Sequence, residues 1–117
     1  MARPTFADLA AEQYCYLTTT GRSSGEPRTI EIWFGTEGST LYLLAGGREE
    51  SHWVRNLAMQ PSASVRIAEQ EFAVTARVVR DPDEDALARR LLLAKYSGDL
   101  AEWGRTALPV ALDLTAS

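Results

Sequence analysis

The chain has 117 residues, 45% of them apolar and 24% charged, and a formal net charge of −4. This is the balance of an ordinary soluble globular domain, and the length allows one domain, residues 1–117. The longest uninterrupted apolar runs are Leu41–Ala45 and Leu91–Ala94, which excludes a transmembrane helix, and the acidic balance argues against a general nucleic-acid binder.

A lone cysteine, Cys15, and a lone histidine, His52, leave no internal disulfide and no ordinary His/Cys metal site, so no metal is expected. The opening residues lack a long apolar core, so a cytoplasmic location is expected.

In chain order, Thr5 is a candidate N-cap, and Phe6, Leu9 and Ala10 share a helical face, which predicts a short helix over 6–12 within an N-terminal extension, residues 1–13. Residues 14–20, rich in aromatic and β-branched side chains, predict a strand that ends in the turn Gly21-Arg22-Ser23-Ser24-Gly25. Residues 28–34 alternate and predict a half-buried strand with Ile30 and Ile32 on one face. A hairpin turn over 36–39 leads into a strand over 40–45. The period then changes: Trp53, Val54 and Leu57 fall at helical spacing behind Ser51 as N-cap, and Pro61 blocks continuation. Strands follow over 63–68 and 72–79, joined by an exposed turn at 69–71. Asp81 as N-cap and Pro82 at the first helical position open a second helix, with Leu87, Leu91 and Ala94 on one face, running to about Tyr96. The last strand is 108–114. The order α-β-β-β-α-β-β-α-β predicts a mainly β, α+β domain with six mostly antiparallel strands. A small closed or partly open barrel would remove exposed edges, and a flat α+β sandwich is the alternative.

The usual equipment for hydrolysis is missing. Cys15 lies mid-strand and reads as a small buried hydrophobe, and no nucleophile elbow or metalloprotease motif is present. A different constellation remains. The turn 21–25 offers backbone N–H groups and two hydroxyls beside Arg22 and Arg28, the makings of an anion-binding concavity. A second glycine site, Ala45-Gly46-Gly47-Arg48, follows a strand and leads toward a helix N-terminus, where donors again favour a phosphate. With Trp33 and Trp53, these would suit a ligand with a flat ring and an anionic tail. A flavin-like cofactor brings its own redox chemistry and asks the protein only for position and electrostatics.

The string Leu17-Thr-Thr-Thr-Gly-Arg-Ser-Ser-Gly-Glu-Pro-Arg28 resembles the "TTxGRKSGxxR" motif of the deazaflavin-dependent nitroreductases. That family belongs to the flavin/deazaflavin oxidoreductases and is related in fold to the pyridoxamine-phosphate oxidases. Ala45-Gly46-Gly47, then Trp53-Val54-Arg55-Asn56-Leu57 and Pro61, is similar to the family's "GG…W..NL..NP" pattern, and Arg105–Val110 to its closing "R-x-x-P-V" strand. The resemblance implies a six-stranded split β-barrel of the FMN-binding type. It also implies coenzyme F420 as cofactor, with FMN as the alternative. It places the anionic tail at Arg22, Ser24, Gly25 and Arg28, the phosphate and ring near Ala45, Gly46, Gly47 and Arg48, and Trp53 and Asn56 beside that loop. Trp33 joins Trp53 as a ring wall, and Tyr96 is the candidate substrate contact; no residue is assigned to catalysis itself. Ser23 stands where the motif has lysine. The function expected is hydride transfer from reduced F420 to an electron-poor small molecule, a quinone, nitro compound or enone. The alternatives are an FMN-binding split-barrel oxidoreductase or a non-catalytic F420 carrier. A homodimer is preferred over a monomer.

Overall fold

A computed structural model describes Phe6, residues 9–96 and residues 106–115. Seven strands form one sheet: β1 (Cys15–Thr20), β2 (Pro27–Ile32), β3 (Gly35–Glu37), β4 (Thr40–Ala45), β5 (Ser62–Ile67), β6 (Gln70–Val78) and β7 (Leu108–Leu114). One turn of 3₁₀ helix (Arg48–Glu50) precedes α1 (His52–Met59), and α2 (Pro82–Lys95) lies between β6 and β7. The strand order is β2-β1-β5-β6-β7-β4-β3, and every paired neighbour is antiparallel.

The edges of this sheet are β2 and β3, yet only Trp33 and Phe34 separate them in sequence. Three Cα–Cα steps reach at most about 11 Å. The sheet therefore has to roll until its two edges meet, which makes it a split barrel. The seam is fastened from α2. The Tyr96 hydroxyl accepts from Phe34 N at 3.1 Å and lies 2.8 Å from Gln13 O and 3.1 Å from Phe34 O, so it donates to the nearer carbonyl. Trp33 stacks on the Tyr96 ring, with centroids 4.6 Å apart and planes 11° apart. Lys95 Nζ donates to Phe34 O at 3.2 Å.

Side-chain alternation divides the core in two. Leu17, Leu41, Leu43, Val65, Ile67, Val74 and Leu112 fill the barrel, with Phe6 set edge-on to Phe72 at 5.1 Å. Outside it, Tyr42, Leu44 and Ala111 pack against Ala88, Leu92 and Tyr96 of α2. β4 is thus covered on both faces, which accounts for its unbroken apolar run.

The mainly β class and the antiparallel barrel agree with the sequence reading. The strand count is seven because the predicted second strand, 28–34, ends early at Ile32, and Gly35–Glu37, of which Thr36 and Glu37 fall in the predicted hairpin turn 36–39, forms a strand on the opposite edge. The buried stripe of α2 is Ala88-Leu92-Tyr96, with Leu87 and Leu91 beside it and Ala94 exposed, so the predicted face was rotated by one position. Asp81 caps α2 as expected, accepting from Glu84 N at 2.9 Å. In the predicted N-terminal helix, residues 7 and 8 lie outside the described residues. The bonds Leu9 N→Phe6 O and Glu12 N→Leu9 O span three residues each, which is turn geometry rather than α-helix. No helix among the described residues is long and apolar enough to cross a membrane.

Two predictions follow from this packing. Tyr96→Phe leaves the buried Phe34 N–H without its acceptor, and urea unfolding should show a loss of about 1–3 kcal/mol. The second concerns Glu84, which Arg77 holds through two bonds of 2.6 and 2.7 Å and Tyr42 through a third of 2.6 Å. These bonds lower its carboxyl from 4.5 to about 2. The stability they contribute is complete above pH 4.5 and is lost as pH falls through about 2. Melting temperature measured against pH should fall less steeply over that window in Glu84→Gln.

Candidate functional site

The turn 21–25 is a closed piece of backbone. Gly21 N donates to Glu26 O and Gly25 N to Gly21 O, both at 2.8 Å, and Ser24 Oγ accepts from Glu26 N at 3.1 Å. Gly25 sits at φ +74°, a left-handed position that glycine adopts without strain. At Gly21 a Cβ would lie 2.9 Å from Ser24 Oγ and 3.1 Å from Glu26 O. The anion-binding concavity expected here is therefore smaller than the loop suggests. The turn itself takes the Gly21 and Gly25 amides and Asn56 takes that of Arg22, and only Ser23 N–H and Ser24 N–H lack a partner among the described residues.

This turn faces α1. Positions 52, 53 and 56 share one side of the helix and, with the turn and the start of β2, enclose a cavity of about 340 Å³. Its lining is Thr19, Gly21, Arg22, Ser23, Ser24, Arg28, Ile30, His52, Trp53 and Asn56, with no carboxylate among the described residues. Arg22 Nη1 donates to Asn56 Oδ1 at 2.8 Å and Nη2 to His52 Nδ1 at 3.3 Å. Arg22 N also reaches Asn56 Oδ1, at 3.2 Å, and Asn56 Nδ2 donates to the buried Thr19 Oγ1 at 3.1 Å. Arg28 lines the same cavity, and its guanidinium has no partner among the described residues.

Of the residues singled out from sequence, the structure brings Arg22, Ser24, Arg28, Trp53 and Asn56 together here. Gly25 faces a shallow groove over β1 and β5 instead. Ala45 is buried and paired with Leu108. Gly46 and Gly47 are exposed, and Arg48 turns away, donating to Thr106 O at 2.6 Å; none of these four lines the cavity. Gly47 serves a close approach, since a Cβ there would stand 2.8 Å from Ser51 Oγ.

Trp33 and Trp53 do not share a wall. Five residues of extended chain, about 17 Å, separate Arg28 from Trp33, which lies at the seam beside Tyr14, Glu31 and Ile32. Tyr96 corrects the expectation of a substrate contact: it is buried, and its hydroxyl is engaged by the Phe34 and Gln13 backbone. Thr19, Ile30 and His52 escaped the sequence reading. Pairing of Thr19 with Arg28 across β1 and β2 would have flagged the first, since cross-strand partners share a face.

Other groups offer little chemistry. No cluster of three or more metal-ligating side chains occurs among the described residues. Burial pushes the Cys15 thiol up to about 12, and burial also lowers Lys95, to about 8. A second cavity of about 390 Å³ lies on the other side of α1, against Val54, Leu57, Ala76, Val78 and Val110.

The chain is thus a split barrel with an arginine-lined cavity whose lining, among the described residues, includes no carboxylate. The model of the family described as F420H(2)-dependent quinone reductase matches residues 5–115, and the chain belongs to that family. This agrees with the F420-dependent relationship drawn from the two motifs; the family's name specifies quinone rather than nitro reduction. An F420H(2)-dependent quinone reductase of Mycobacterium tuberculosis (strain H37Rv) is 32% identical over 72 residues, 59% of this chain and 48% of that one. The chain thus matches about half the length of this curated relative. A solved F420-H2 dependent reductase superposes with a TM-score of 0.71 at 22% identity, covering 86% of this chain and 93% of that one. A pyridoxamine 5′-phosphate oxidase-like protein of Listeria innocua gives 0.71 at 16% identity, over 95% and 90% of the two chains, which agrees with the expected fold.

The state of Cys15 can be checked directly. A fully buried thiol that does not ionise should react with a maleimide only after unfolding, so labelling in native buffer should lag labelling in denaturant by at least about 100-fold.

Proposed function

We propose that this protein binds coenzyme F420 and uses it to reduce a small electron-poor acceptor, a quinone first among them. The observation that carries the reading is the cavity beside α1, where two arginines face a space whose lining, among the described residues, includes no carboxylate. A phosphate or glutamate tail matches that donor set: two guanidinium groups, two serine hydroxyls and two unpaired amides. The reduced deazaflavin supplies the hydride when bound, which accords with a site that holds no nucleophile–base pair. In this reading Arg22 and Arg28 hold the tail, and Ser24 and the Ser23 and Ser24 amides add hydrogen bonds. Trp53 and Ile30 give the apolar side of the cavity, and the Gly46-Gly47 backbone lies exposed in the chain ahead of α1. A homodimer and a cytoplasmic location belong to the same proposal, and light scattering and cell fractionation report on them.

The test is a parallel titration of the apo-protein with F420 and with FMN, followed by ligand fluorescence. F420 should bind more tightly, and rising salt should weaken it. Arg28→Ala should cost about 1.5–3 kcal/mol of F420 affinity, the worth of a charge-assisted bond. Tighter binding of FMN would replace the cofactor assignment. An unchanged dissociation constant in Arg28→Ala would move the tail out of this cavity. Binding without turnover of any quinone would leave a carrier.

A further inference from the structure

We infer that Asn56 is a positioning residue for Arg22, fixing its guanidinium in the anion cavity through neutral acceptors so that its charge stays available to the ligand. The inference rests on the proposed binding of an anionic tail in this cavity and adds a residue that acts on the tail only through another.

The other arginines held by side chains show the contrast. Arg77 is paired with Glu84 at 2.6 Å and Asp113 at 2.7 Å, Arg89 with Asp85 at 2.6 Å, and Arg48 with Glu49 at 3.4 Å. A carboxylate fixes Arg77 and Arg89 and cancels their charge locally, and Arg48, held by Thr106 O at 2.6 Å, has one beside it as well. The acceptors around Arg22 are different. They are Asn56 Oδ1 at 2.8 Å, His52 Nδ1 at 3.3 Å and, more weakly, His52 O at 3.5 Å. A guanidinium can only donate, so His52 Nδ1 must be the unprotonated nitrogen of a neutral ring in this arrangement. The orientation of the Asn56 amide is fixed in the same way. Two donors of Arg22, N and Nη1, converge on Oδ1, and Nδ2 must then point to Thr19 Oγ1, where it donates at 3.1 Å. Asn56 is only 4% exposed and Thr19 2%, so this brace is rigid, while Arg22 itself reaches the cavity. An arginine free in solution must give up rotamer freedom when it grips an anion; this one has given it up beforehand. An aspartate at 56 would hold the guanidinium at least as firmly and would spoil the site.

The experiment compares F420 binding and melting temperature in wild type, Arg22→Ala, Asn56→Ala, Asn56→Asp and the Arg22→Ala/Asn56→Ala double variant. Asn56→Ala should weaken F420 binding about 3- to 10-fold, the worth of one pre-ordered side chain. In the Arg22→Ala background the same change should have no effect on binding, because the residue acts through Arg22. Asn56→Asp retains both bonds to Arg22 and can accept from the Thr19 hydroxyl. It should melt no lower than Asn56→Ala yet bind F420 at least about 10-fold more weakly than wild type. Its log Kd should also depend less steeply on log salt, since one cation has been discharged. Wild-type affinity in Asn56→Asp would mean that the residue only braces the fold and would overturn the inference. So would an undiminished effect of Asn56→Ala when Arg22 is absent. Should Asn56→Ala fail to fold, the aspartate variant and its salt slope decide alone. Unchanged binding in both Arg22→Ala and Arg28→Ala is the separate outcome that removes the tail from the cavity, and the inference with it.

Discussion

The step from β2 to β3 carries the chain from one edge of the sheet to the other in two residues, and a seven-stranded sheet cannot lie flat under that constraint. Each wall of the barrel follows from it. The inward stripes of β1, β4, β5, β6 and β7 converge because the seam brings the edges round, and β4 gains a second buried face because α2 has to reach the seam from outside. Tyr96 and Lys95 complete the closure: the Tyr96 hydroxyl accepts from Phe34 N and Lys95 Nζ donates to Phe34 O, in place of the bonds that a missing neighbour strand would have given Phe34.

With the barrel closed, α1 becomes a partition. Residues 52, 53 and 56 look toward the first cavity and residues 54, 55, 57 and 58 toward the second. One short helix thus separates the cavity lined by Arg22 and Arg28 from a second one in which apolar side chains sit beside Glu49, Arg55, Arg77 and Arg80. The acidic net charge of the chain makes the first more distinctive, because its local sign opposes that of the whole molecule.

Much of the fold was legible because local signals and packing agree. Asp81-Pro82 marked the start of α2 by capping chemistry, and the alternation of residues 108–114 gave β7 with its bounds. β3 was not legible: three residues carry no period, and Trp33-Phe34, apolar at consecutive positions, continued the run across what is really a break. The site was half legible. The motifs singled out Arg22, Ser24 and Arg28 on the turn side and Trp53 and Asn56 on the helix, each a local unit, and the structure brings the five around one space. Sequence alone could not separate Trp33 from Trp53, since which end of a strand a residue occupies relative to a helix elsewhere is a tertiary fact. Nor could it show that the turn bonds the Gly21 and Gly25 amides internally and gives that of Arg22 to Asn56, which only the hydrogen-bond geometry reveals.

Both ends of α2 are tied down, and by different means. Glu84 in its first turn joins Arg77 and Tyr42, and Tyr96 at its last turn meets Phe34 across a separation of 62 residues. Such a distant contact carries a large loop-closure entropy and forms only once much of the intervening chain is in place. The expected folding order therefore has hairpins β1–β2 and β5–β6 early, α2 docking next and the seam last. Interactions made after the rate-limiting step govern how fast a protein comes apart, so the seam sets the lifetime of the native state more than the speed of reaching it.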